Sequence, residues 1–168
     1  VPGLLASTRP GLTARRFRQG GDLNIVVPAK EGEARRRFVM DIVPSVSAIN
    51  AVLTECDQPI EDTRIPGDQW VLPDYPVAPS WQRRPTPTFP DRAVNNSSWG
   101  LVFLSCIAMP DGAVRQCQVD SEGPPNLGFG EAALASVRTA RSSPYTPANS
   151  LEAEHGRLLE FTMSFRLQ

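Results

Sequence analysis

The stretch SCIAMPDGAVRQCQV, Ser105 to Val119, decides how this chain is read. Two runs with strand character flank Met-Pro-Asp-Gly, and each carries a cysteine near its middle. Pro110 presets φ at the second turn position, Asp111 tolerates the third, and Gly112 can take the positive φ of a tight hairpin. Antiparallel strands are therefore predicted over residues 101–108 and 114–119. A regular ladder would set Cys106 opposite Gln116, yet Val114 and Cys117 are both apolar and differ in parity. A bulge near Arg115 and Gln116 reconciles them and brings Cys117 across from Cys106. In an oxidising compartment the two can bond, and in a reducing one they stay buried thiols; both readings are open at this level.

Working outward, residues 131–141 read as a helix with Ala133, Leu134 and Val137 on one face. The loop EGPPNLGFG precedes it, and Pro144 and Pro147 follow it. RLLEFTMSFRL, residues 157–167, alternates with the period of a strand buried on one side. Leu159, Phe161, Met163 and Phe165 take the inward phase, leaving Leu158, Glu160, Thr162 and Ser164 outward. Upstream, prolines dominate residues 57–84 and continue to Pro90, so this connection is expected to be extended. Trp70, Val71, Leu72 and Trp81 would tack it to a surface.

Residues 1–56 read as a small ββ(β)α unit. A Gly20-Gly21 turn between strand-like runs suggests a hairpin, and residues 37–43 suggest a third strand. Pro44 stops that strand, and Ser45 caps a helix whose Val46, Ile49, Val52 and Leu53 share a face. Cys56 ends that face, read as a small buried residue in preference to a functional thiol. The fold class is then α+β: a three-stranded antiparallel sheet with helices on one face over residues 85–168, preceded by the ββ(β)α unit and the proline-rich connection.

Composition narrows the function. Seventeen basic against eighteen acidic residues give a net charge of -1, which counts against nucleic acid as a partner. The apolar runs, such as residues 101–104, fall far short of a bilayer span. The chain opens at Val1 without a basic-then-apolar leader, so both a removed signal peptide and an upstream membrane anchor are compatible with it. Three cysteines without a C-x-x-C, and the single His155, do not make a metal centre. No catalytic residue emerges: only Arg115 would acidify a hairpin thiol, EAEHGR reads as a solvated turn, and Asp111 and the acids at 152–154 lack a paired spacing. No cofactor is implied, and the chain does not read as an enzyme.

Several motifs in order then point to a family. Pro87-Thr88-Phe89-Pro90 with Ala93 opens the series, and Gly100, Val102 and Asp111-Gly112-Ala113-Val114 form its hairpin. Ser121-Glu122-Gly123, Leu127, Ala132-Ala133-Leu134 and Tyr145-Thr146-Pro147-Ala148 complete it. In this order they resemble the C-terminal domain of the TonB family of energy transducers, over about residues 85–168. The resemblance implies a periplasmic domain of Gram-negative bacteria that binds a protein partner, an outer-membrane receptor segment, by adding it as a strand beside the last strand. Phe89, Pro90, Arg92, Leu158, Glu160, Thr162 and Ser164 are the positions it points to. The family's membrane helix and its long spacer are missing from this chain, and residues 1–56 have no assigned role. The alternative is a structural or assembly protein that pairs with its own copy, as a homodimer, through the same edge.

Overall fold

The computed structural model describes residues 7, 10–27, 29, 34–64 and 80–167, so Trp70, Val71 and Leu72 lie outside the described residues. The chain divides into two compact units, one of residues 10–61 and one drawing on residues from 62 onward.

The first unit runs α1 (Pro10–Phe17), β1 (Gly21–Val27), β2 (Arg36–Ile42) and α2 (Val46–Glu55). The strand expected ahead of Gly20 and Gly21 is helix α1 instead. Pro10 suits a first helical position, and Leu12, Ala14, Arg15 and Arg16 are good helix formers that outweigh the strand preference of Thr13 and Phe17. Gly20, at φ 74°, turns the chain out of the helix. The hairpin therefore joins β1 to β2, from Gly21 opposite Ile42 to Val27 opposite Arg36. Two arginines of the α1 segment tie down the chain that follows α2. Arg15 donates to the Pro59 carbonyl (3.0 Å), and Arg18 donates to the Ile60 carbonyl (2.9 Å). Of the apolar face expected on α2 only Leu53 is buried; Val46 and Val52 are more than half exposed. Cys56, expected to be buried, is an exposed free thiol at the end of the helix.

The second unit contains β3 (Trp81–Arg83), β4 (Trp99–Ala108), β5 (Val114–Gly123), α3 (Phe129–Val137), β6 (Arg141–Ser142), α4 (Ser150–His155) and β7 (Arg157–Arg166). Its main sheet is antiparallel in the order β5-β4-β7, and β3 pairs with β6 in a small separate ladder. This is the α+β architecture expected. One face of the sheet buries Val102, Leu104, Cys106 and Ala108 of β4 with Leu159, Phe161, Met163 and Phe165 of β7. Phe129, Ala133 and Val137 of α3 close the same core. Trp81 meets Phe161 edge-on at 5.0 Å, so the end of the proline-rich connection is tacked down.

Phe129, which the sequence places in a loop, starts α3 and is fully buried. Its ring lies 5.4 Å from that of Phe89 and 5.1 Å from that of Phe165, and the Gly100 backbone passes directly over it. Gly128 takes the cap position and has no side chain to offer. Glu122 of β5 supplies the missing acceptor: its carboxylate receives the Gly130 N–H (2.6 Å) and the Asn126 N–H (3.1 Å), and its charge suits a helix start.

In the hairpin, Ser105 faces Gln118 and Ile107 faces Arg115, so Cys106 lies opposite two residues, Gln116 and Cys117. Gln116 adopts φ 49°, the bulge that the parity argument requires. The Cys106 and Cys117 sulfurs are bonded, with Cα atoms 4.0 Å apart. Further along, EAEHGR is not a bare turn: Asn149 accepts from the Glu152 N–H (2.8 Å), and Glu152 accepts from the Ala148 N–H (2.6 Å), which starts α4. Tyr145 clamps the entry to β7. Its hydroxyl donates to the Ala108 carbonyl (2.9 Å), and the Arg157 guanidinium sits 3.8 Å over its ring. Burial, and then the Glu152 charge, raise the Tyr145 pKa, with Arg157 opposing them.

Gly100→Ala should lower stability by about 1–3 kcal/mol, because its Cβ would enter the Phe129 ring; the urea midpoint reports this. Replacing Cys106 and Cys117 together by alanine frees a short loop in the unfolded chain and should cost about 3 kcal/mol by the same measurement. The raised Tyr145 pKa adds stability that is complete below the unfolded phenol value of about 10 and is lost as pH rises through the folded one. Tyr145→Phe should flatten that alkaline loss while costing about 1 kcal/mol at neutral pH.

Candidate functional site

Strand β7 is paired with β4 along its whole length, from Arg157 opposite Ala108 to Arg166 opposite Trp99, without a register shift. Among the described residues no strand pairs with its other side. A regular antiparallel strand turns alternate N–H and C=O groups away from its neighbour, so this border is a row of main-chain donors and acceptors. Ten residues without proline make it long enough to template another strand. The opposite border belongs to β5, where the ladder shifts twice, at Gln116 and again at Asp120. Bulges bend and twist a strand, which makes β5 the poorer template.

Thr162 and Ser164 are exposed on the face of the sheet away from α3, and Leu158 and Glu160 are half-buried there. The other three expected positions lie elsewhere. Phe89 packs on Phe129 as part of the core surround, and the Pro90 carbonyl opens a short 3-10 turn by accepting from the Ala93 N–H (2.9 Å). Arg92 is exposed and pairs with Glu131 of α3 at 3.2 Å. Phe89 reaches β7 through Phe129, whose ring also meets Phe165.

Sequence reasoning missed a polar group on the second face of the sheet. Arg64 grips Asp62 through Nε (2.8 Å) and Nη2 (2.6 Å), with both side chains nearly buried. Its Nη1 donates to the carbonyls of Ser105 (3.0 Å) and Gln116 (3.2 Å), on either side of the first bulge. Nη2 also reaches Ser105 Oγ (3.1 Å), which donates to Asp120 at the second bulge (2.9 Å). The only signal for this was a serine inside an apolar strand. The group closes the Ser105 end of that face. At the other end Trp99 is 53% exposed, and with Leu101, Ser164 and Arg166 it lines an open groove of ≈520 Å³ beside the β7 border.

Asp111 is spent on its turn, accepting from the Ala113 N–H (2.9 Å), and His155 has Glu154 at 3.8 Å. Among the described residues no three His, Cys, Asp or Glu side chains converge, and no helix is long and apolar enough to cross a membrane.

No curated protein matches the chain. The family model described as the Gram-negative bacterial TonB protein C-terminal matches residues 85–167. That span takes in β4, β5, α3 and β7 whole, and it makes residues 85–167 of this chain a TonB C-terminal family domain, a module of protein interaction and envelope energy transduction.

Proposed function

We propose that this domain works in the periplasm as a protein-binding module that takes up a short extended segment of its partner as a fourth strand beside β7. The partner we favour is a periplasm-facing segment of an outer-membrane receptor, bound in energy-coupled transport. One observation carries the reading: a ten-residue border whose register never shifts and which has no neighbour among the described residues, where the other free border, β5, shifts twice. Main-chain hydrogen bonds would supply most of the affinity, and alternate side chains would tune it. Thr162 and Ser164 would meet those side chains on the exposed part of the second face, with Leu158 and Glu160 at its half-buried Ser105 end, and the groove at Trp99 and Leu101 would receive the larger ones. Phe89 acts indirectly, by packing on Phe129, whose ring also meets Phe165 near the end of β7. No catalytic step is assigned.

A segment held by one strand edge and a shallow groove should bind with a Kd in the micromolar range, about -8 kcal/mol. Peptides copied from periplasm-facing receptor segments should slow hydrogen exchange at alternate amides of β7, and Thr162→Pro should weaken them by about tenfold or more while the chain still melts cooperatively. Protection confined to β5 or to the first unit would overturn the docking mode. A β7 protected in the free chain at high concentration, with a dimer in sedimentation, would instead assign the edge to self-pairing.

A further inference from the structure

The β4–β5 bulge, the disulfide and Arg64 form one linked arrangement. A bulge removes carbonyls from the ladder, and a buried carbonyl left without a donor is costly. Here the half-buried Ser105 carbonyl lies across from the bulge that puts Cys117 opposite Cys106, and the exposed Gln116 carbonyl belongs to the bulge itself. Both converge on a single guanidinium nitrogen, Arg64 Nη1. The planar fork of Arg64 can bridge them and still hold Asp62 with its other nitrogens, a task that a lysine could not perform. The covalent bond and the arginine thus favour the same local backbone, one from each face of the sheet. Two groups that favour one conformation are thermodynamically coupled, and the coupling is reciprocal.

We propose that Cys117 is a site of thiol–disulfide exchange and that Arg64 is the latch that reads its redox state: the oxidised hairpin pins residues 62–64 to the sheet, and the reduced hairpin releases them. Cys106 is fully buried and Cys117 is only partly so, which makes Cys117 Sγ the sulfur open to attack. The reductant is a dithiol. One of its thiolates bonds to Cys117 Sγ as the Cys106–Cys117 bond breaks, and Cys106 leaves as a thiolate that takes up a proton. The second thiol of the reductant then displaces Cys117, which is released as its thiol. Two electrons and two protons have passed to the protein, and the dithiol has become a disulfide.

The test uses the full chain with Cys56→Ser, since Cys56 is an exposed free thiol that would confuse the count. The equilibrium with dithiothreitol is read by alkylation and mass spectrometry for the Arg64-bearing chain, for Arg64→Met and for Arg64→Lys. Arg64→Lys keeps the charge beside Asp62 and so guards against loss of fold. Both substitutions should shift the equilibrium toward the dithiol by about five- to tenfold. Hydrogen exchange should show the backbone at residues 62–64 slow in the oxidised chain and fast in the reduced one. An equilibrium that moves less than about twofold in both variants would sink the coupling, and exchange at 62–64 that ignores redox state would sink the latch.

Discussion

The ring of Phe129 beneath Gly100 is the contact on which the second unit depends. A strand residue with any side chain would push α3 off the sheet at this point, and Gly100 instead lets the helix descend onto β4. Once seated, the ring meets Phe89 from the segment before β4 and Phe165 from the end of β7. Three stretches far apart in the chain are thereby fastened around one side chain, and the direction of β7 is set from below. Because aromatic rings bury so much area, a single such residue can organise a small core that several alanines could not.

With the helix side closed, the two borders of the sheet differ in kind. β5 carries two extra residues; Arg64 takes up the Gln116 carbonyl at the first, the disulfide crosses the ladder beside it, and the Asp120 side chain at the second accepts from Ser105. β7 carries no irregularity, and its inward side chains alternate without a break. Among the described residues neither border has a strand neighbour, and the regular one is the better strand template. That asymmetry is the physical basis for reading β7 as the docking edge, and it follows from where the extra residues fall, not from any special chemistry on β7 itself.

The first unit is held differently. Its helices bring little apolar area together, and buried arginine side chains on backbone carbonyls take a larger share of the work. Guanidinium groups can satisfy several carbonyls at once, which lets a short unit anchor an irregular segment without a large core.

Local pattern alone determined the hairpin, its bulge, the last strand and its inward phase, since alternation and turn chemistry act between near neighbours. The same pattern laid out the motif order of the TonB C-terminal domain between Pro87 and Ala148. It misjudged α1, because a run of arginines before a glycine pair has no strong period of its own. It also left Phe129 in a loop, because a residue flanked by glycines shows no helical periodicity in the sequence. Tertiary structure decided what depends on distant partners: that Glu122 caps α3, that Asp62 and Arg64 close one end of the second face, and that Cys56 ends exposed while Cys106 and Cys117 bond. Those outcomes rest on which groups remain unsatisfied after the strands pair, and no local window of residues contains that information.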